Sequence, residues 1–104
     1  FLDFYLRELN IGIVYDIGNA SSQEHNVMEE FYSGREYIKH IHIKDKNLKK
    51  ENVNLGEGIV DFKKIIPCLK KFKNINLTLE TDRGQNPKIT QKNNIIFLKK
   101  LLQE

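Results

Sequence analysis

Residues 38–43 read IKHIHI, a run of isoleucines broken by a lysine and two histidines. The alternation predicts a β-strand that carries His40 and His42 on the same face. Similar runs stand on either side of it, IGIVYD at residues 11–16 and INLTLE at residues 75–80. Strands spaced about thirty residues apart, with helical patterns between them, predict a parallel sheet joined by crossover helices.

An amphipathic helical pattern follows each of the three predicted strands. The patterns cover residues 24–35, 61–73 and 90–103. Asp61 and Thr90 are suitable N-cap residues for the second and third helices, and Pro67 predicts a kink or a later start in the second. A complete (β/α)8 barrel needs eight such units and roughly 250 residues, whereas this chain has 104 residues. We therefore expect an α/β fold in which residues 1–104 form part of a TIM barrel, with parallel strands and outer helices.

The composition restricts the class of protein. The chain is 39% hydrophobic and 30% charged, and no apolar run approaches the ~20 residues of a membrane span. Because its lysines are spread over separate segments, the net charge of +3 predicts a solvated surface rather than a nucleic-acid site. The single cysteine, Cys68, excludes an internal disulfide. We expect a cytoplasmic protein with no membrane or nucleic-acid partner.

Each predicted strand ends in, or next to, a side chain that can bind a metal ion. These side chains are Asp16, His42 and Glu80. Because the C-terminal ends of parallel barrel strands converge on one face, we expect the three to meet there. Two carboxylates and one imidazole suit a single divalent ion such as Mn²⁺, Zn²⁺, Co²⁺ or Mg²⁺. His40 lies one layer deeper, where it would support the site or belong to the core.

The loops after the strands contain further candidates. Asp45 holds a loop, orients the imidazole of His42 or forms an ordinary turn, and the sequence leaves these roles open. Barrels often bind a phosphate with the loops after their last strands. Candidate substrate-binding residues in these loops are Lys44, Gly56, Gly58 and Arg83. For Arg83 a plain surface position is an equally good interpretation.

Four blocks of the chain follow the order and spacing of a known superfamily. They read DIGNA at residues 16–20, HIHIKD at 40–45, NVNLGEGIVDF at 52–62 and LET at 79–81. The chain resembles the xylose isomerase-like TIM barrels, and among them the sugar-phosphate isomerases and epimerases, which include the L-ribulose-5-phosphate 3-epimerases. The resemblance covers essentially the whole chain. It implies the C-terminal portion of a barrel, with the last three βα units.

The resemblance also implies a reaction. In that family the residues matching Asp16, His42 and Glu80 bind one divalent metal ion, and a fourth ligand, a glutamate, lies on an earlier strand that this chain lacks. Glu80 and that glutamate would move a proton beside the substrate carbonyl, and the metal would stabilise the enediolate. Asn19 stands where many members have histidine, and we assign it to substrate binding. The implied substrate is a ketose or ketose phosphate, with epimerisation at C3 favoured.

Other functions stay open at this point. A truncated or split barrel that acts only structurally would explain the missing strands. The fragment alone is expected to be inactive and to form a homo-oligomer through its open strand edges. An endonuclease IV-like DNA repair enzyme needs further histidines, and residues 46–60 contain none. The sequence leaves open the identity and phosphorylation of the sugar, and the choice between epimerisation and aldose–ketose isomerisation.

Overall fold

The computed structural model describes residues 7–72 and 74–103. Its main elements alternate between strands and helices, with a short hairpin inserted after the second strand. In chain order they are β1 (Ile13–Asp16), α1 (Ile17–Ser22), α2 (Val27–Gly34), β2 (Ile38–Ile43), β3 (Asp45–Lys46), β4 (Asn52–Val53), α3 (Phe62–Leu69), β5 (Asn76–Leu79) and α4 (Pro87–Gln103).

The longer strands form one parallel sheet in the order β1-β2-β5, which confirms the predicted α/β architecture. Asp16 of β1 lies beside His42 of β2, and His42 lies beside Thr78 of β5. The backbone N–H of Glu80 donates to the carbonyl of Ile43 at 3.0 Å, so the pairing continues one residue past β5. The bounds of β2 are those predicted, whereas β1 and β5 are shorter than predicted. That these are the last three units of a barrel stays a prediction.

The hydrophobic core lies between one face of this sheet and the helices. Ile41 and Ile43 of β2 are fully buried there, in one cluster with Phe31 of α2 and Ile66 of α3. Burying each such side chain contributes about 1.5–3 kcal/mol, so the isoleucines determine which face of β2 meets the helices. The intervening side chain of His42 is thereby directed to the opposite face.

Two elements of the structure were not predicted from the sequence. The first is α1, which begins directly after Asp16, whose side chain accepts the backbone N–H of Asn19 as an N-cap. The second is the antiparallel pair β3–β4. Both are too short to give a periodic hydrophobic signal, because a helix needs several turns and a strand several alternations to show one.

The predicted helix starts are confirmed in one case and wrong in another. Asp61 is the N-cap of α3 and accepts the N–H of Lys64 at 3.3 Å. Thr90 is not a cap, because α4 already begins at Pro87, a residue type suited to the first turn. Pro67 lies inside α3, which begins without delay and ends at Leu69. Within the described part of the chain, no helix is long and apolar enough to cross a membrane.

Candidate metal and active site

The sheet brings the predicted metal ligands together. Asp16 is the last residue of β1, His42 is near the end of β2, and Glu80 follows β5 directly. Because the strands are parallel and in register, their C-terminal ends meet at one edge. One ligand atom from each of these residues lies within 4.8 Å of the other two. Convergence of the three side chains therefore follows from the pairing of the strands.

His42 lies between the two carboxylates. Its Nδ1 atom is 2.6 Å from Oε2 of Glu80 and 4.0 Å from Oδ2 of Asp16. Oδ1 of Asp16 accepts the N–H of Asn19 at 2.8 Å, which fixes that carboxylate against the first turn of α1. Because an ionised carboxylate can only accept hydrogen bonds, Nδ1–H of His42 is the donor in this short contact with Glu80.

A fourth side chain, Lys44, joins the same cluster. Its Nζ atom is 2.6 Å from Oε1 of Glu80 and 3.4 Å from Oδ2 of Asp16, and the side chain is only 10% exposed. Burial by itself would lower the pKa of Lys44, but the hydrogen bond to Glu80 and the charge of Asp16 outweigh it and raise the pKa. The hydrogen bond from Lys44 lowers the pKa of Glu80 against a smaller opposing effect of burial. Glu80 is therefore ionised and Lys44 protonated at neutral pH.

The donor set fits a divalent cation. Carboxylate oxygens and an imidazole nitrogen are ligands that Mn²⁺, Zn²⁺, Co²⁺ and Mg²⁺ accept in proteins. The formal charges of Asp16, Glu80 and Lys44 sum to −1. A net negative cluster at the open end of a parallel sheet attracts a cation.

Comparison with known proteins places the chain in a family. Residues 5–101 match the family model described as "Xylose isomerase-like TIM barrel". The chain belongs to the xylose isomerase-like TIM barrel family. Its predicted family membership is thereby confirmed, and the three-stranded parallel sheet with its helices is consistent with part of such a barrel.

Curated relatives carry the name L-ribulose-5-phosphate 3-epimerase UlaE. The protein from Escherichia coli is 40% identical to this chain over 68 residues, which is 64% of the chain and 24% of the relative. The relatives from Salmonella paratyphi A and Salmonella typhi are 40% and 37% identical over the same length. The matched segment thus spans about a quarter of the length of these epimerases.

In this xylose isomerase-like chain His40 lies beside the ligand cluster without joining it. Its Nε2 atom is hydrogen-bonded to the hydroxyl of Thr78 on the neighbouring strand. The rings of His40 and His42 meet edge to face with their centroids 5.5 Å apart. His40 thus lies two residues before His42 on β2, in ring contact with this candidate ligand. A role of His40 in the reaction stays a prediction.

Asp45 holds a loop through its buried carboxylate. Oδ1 accepts the N–H groups of Lys46 and Val60, and Oδ2 accepts those of Gly56 and Gly58, at 2.9 to 3.1 Å. A side chain at residue 58 would place its Cβ 2.2 Å from the carbonyl oxygen of Lys46, so only glycine fits. Of the roles left open for Asp45, these contacts favour loop fixation. Residue 56 has to be glycine for a different reason, because its φ is +91° and an added Cβ would lie 2.6 Å from the ring of Phe97. Binding of substrate by Gly56 and Gly58 stays a prediction.

The other predicted substrate-binding residues differ in their surroundings. Asn19 is half-buried at the start of α1, next to Asp16. Arg83 lies on an exposed segment after Glu80, where its backbone N–H donates to the side chain of Asp82. Lys44 is engaged by carboxylates. For Asn19, Lys44 and Arg83 alike, contact with a substrate stays a prediction.

Asn94, a residue not predicted from the sequence, anchors the same loop from the other side. This buried side chain accepts the N–H of Leu55 at 2.9 Å and donates to the carbonyl of Thr90 at 3.0 Å. A signal for it exists in the sequence, because Asn94 shares the helical stripe of Leu98 and Leu101. A polar residue in an apolar stripe must find a hydrogen-bond partner in the core.

Proposed function

We propose that this chain contributes part of the active site of a divalent-metal-dependent epimerase that acts on a ketose or ketose phosphate at C3. The observation that carries the proposal is the convergence of Asp16, His42 and Glu80 within 4.8 Å at the C-terminal ends of parallel strands. Two further findings support it: membership of the xylose isomerase-like family and similarity to L-ribulose-5-phosphate 3-epimerases.

The residues that would hold the metal are Asp16, His42 and Glu80. When bound, the ion would supply a Lewis acid that polarises the substrate carbonyl and acidifies the adjacent C–H bond. The chain itself determines how these ligands are presented. Asn19 fixes one oxygen of Asp16 through its backbone N–H, and Lys44 binds one oxygen of Glu80.

Glu80 is the acid/base residue of this proposal. Its side chain is 45% exposed at the open end of the sheet, so a substrate can reach it. The low pKa caused by the hydrogen bond from Lys44 keeps it ionised and ready to accept a proton. Inversion at C3 also needs a second acid that returns the proton from the opposite face. In this proposal that acid belongs to the remainder of the barrel, and these 104 residues alone are inactive.

Isotope exchange at C3 tests the proposal. L-ribulose 5-phosphate is incubated in ²H₂O with the intact Mn²⁺-loaded protein that contains this chain, and loss of the C3 proton is followed by NMR. We expect exchange with the wild type and a decrease of about a thousandfold for Glu80→Gln, the typical contribution of a general base. Glu57→Gln, which alters an exposed carboxylate in the Asp45-bound loop, should leave the rate unchanged.

Two results would count against the epimerase. Wild-type exchange in Glu80→Gln would remove Glu80 from the mechanism. No exchange in the wild-type protein, with Mn²⁺ bound, would favour the alternative of a barrel portion that acts structurally. The free energy of unfolding should be measured for each variant, so that a loss of rate is not confused with a loss of fold.

A further inference from the structure

The amino group of Lys44 occupies an unusual position between two proposed metal ligands. It lies 2.6 Å from Oε1 of Glu80 and 3.4 Å from Oδ2 of Asp16, with the side chain 10% exposed. A lysine normally keeps its ammonium group in water. Withdrawing this charge from solvent is unfavourable unless carboxylates compensate for it. The ion pairs of Lys44 with Glu80 and Asp16 therefore compensate for the burial of its charge.

The path of the lysine stem is also built into the fold. A Cβ atom added to Gly18 would lie 2.8 Å from Cγ of Lys44 and 3.0 Å from its carbonyl oxygen. Residue 18 on α1 therefore has to be glycine for the chain at Lys44 to lie this close. The close approach of α1 directs the stem towards Asp16, which caps the same helix. This packing is independent of the ion pairs and supports the same location for the amino group.

Lys44 contacts one oxygen of each carboxylate and leaves the other oxygen to a different partner. One oxygen of Glu80 contacts Lys44 and the other contacts His42. One oxygen of Asp16 is held by the N–H of Asn19, and the other faces Lys44 and His42. The two carboxylates are thus kept apart, each with one oxygen directed towards the imidazole.

We propose that Lys44 is a positioning residue that serves as the resident cation of the metal site. Before a metal binds, its charge holds Asp16 and Glu80 at a distance at which both can act as ligands. After a metal binds, the same charge limits how tightly the ion is held. This inference rests on the proposed function, and it assigns Lys44 to the metal site rather than to a substrate phosphate.

Removing the charge of Lys44 has two opposing effects on metal affinity, and their relative sizes predict the net change. A unit charge and a divalent ion that share ligand oxygens repel each other enough to weaken binding by more than about tenfold, even in water. Loss of the contact would also free Glu80 to rotate, but the rotamer entropy of one glutamate opposes binding by less. His42 continues to contact Glu80 in either case. The neutral variant should therefore bind the metal more tightly.

Calorimetric titration of the intact, metal-stripped protein with Mn²⁺ alone tests this. We expect Lys44→Met and Lys44→Gln to bind Mn²⁺ roughly tenfold more tightly than the wild type, and Lys44→Arg to stay near the wild type. Lys49→Met removes an exposed lysine from the β3–β4 turn and is the matched control. Neutral variants that bind Mn²⁺ as the wild type does, or more weakly, would overturn the inference.

A second readout needs no bound metal. In EDTA the neutral Lys44 variants should have a lower unfolding midpoint than Lys49→Met, because Asp16 and Glu80 then repel each other without a counter-charge. Added Mn²⁺ should reduce that difference. Equal midpoints in EDTA would overturn the inference. If the wild type binds no Mn²⁺, the proposed function fails, and the midpoints in EDTA still decide whether Lys44 is the resident cation.

Discussion

Two carboxylates near the C-terminal edge of the sheet have different kinds of hydrogen-bond partner. Asp45 is completely buried, and backbone N–H groups of β3 and of the loop after β4 donate to both of its oxygens. Glu80 is 45% exposed, and its partners are the side chains of Lys44 and His42. Backbone donors cannot leave without unfolding the loop, whereas side-chain partners can rotate away. Asp45 is therefore structural, and Glu80 is the carboxylate that can exchange one partner for another.

The two carboxylates also differ in whether their oxygens are free to accept a new partner. An ionised carboxylate surrounded by fixed N–H groups is satisfied in one geometry and has no oxygen left for a ligand. A carboxylate paired with a lysine and a histidine can accept a metal ion or a proton when those partners shift. Exchangeable partners at a strand end are thus what distinguishes the candidate site from the support beneath it.

The largest effect on stability should come from Asp45→Asn. The amide keeps one acceptor oxygen but turns an NH₂ group towards backbone N–H donors, so we expect a loss of about 3 kcal/mol in the free energy of unfolding. Denaturant titration measures it. Asp82→Asn is the matched control, because the exposed Asp82 accepts one backbone N–H and should lose little. A change below about 1 kcal/mol for Asp45→Asn would abolish the distinction from Glu80.

Replacing a partner of Glu80 should affect binding instead. We expect His42→Ala to weaken Mn²⁺ binding at least about a hundredfold, or 2.7 kcal/mol, because even loss of an indirect partner of a metal ligand has effects of that order. Calorimetric titration of the intact protein measures this. His25→Ala, at an exposed histidine paired with Glu30, should leave binding unchanged. Equal Mn²⁺ affinities of the His42→Ala and His25→Ala proteins would show that His42 is not a metal ligand.

Replacing Asp61 should cause the smallest loss of stability, and its size can be compared directly with the loss for Asp45→Asn. Asp61 is exposed, and its side chain accepts a single described backbone N–H, from Lys64, as the N-cap of α3. Asp61→Ala should therefore cost about 1 kcal/mol of stability, the usual contribution of a cap. Thermal unfolding is a sufficient measurement, with the exposed Lys63→Ala in the same helix as control. A loss as large as that of Asp45→Asn would mean that the number of backbone N–H donors does not determine how much a carboxylate contributes to stability.

Elements with a repeated pattern could be predicted from the sequence. In β2 the buried Ile41 and Ile43 alternate with His40 and His42, so the face of His42 follows from a period of two. Asp16, His42 and Glu80 could be grouped because strand ends converge in any parallel barrel. Elements without a pattern, such as α1 and the β3–β4 hairpin, could not be found in this way.

What each polar group does was decided by tertiary structure. The sequence alone determined a parallel α/β fold and three candidate ligands at its strand ends. Only the folded chain brings Gly56, Gly58 and Val60 to the carboxylate of Asp45, and places the amino group of Lys44 between Asp16 and Glu80. The reason is physical: hydrophobic periodicity is a local property of the chain. The partner of a charge depends on which distant groups the packing brings within a few ångströms of it.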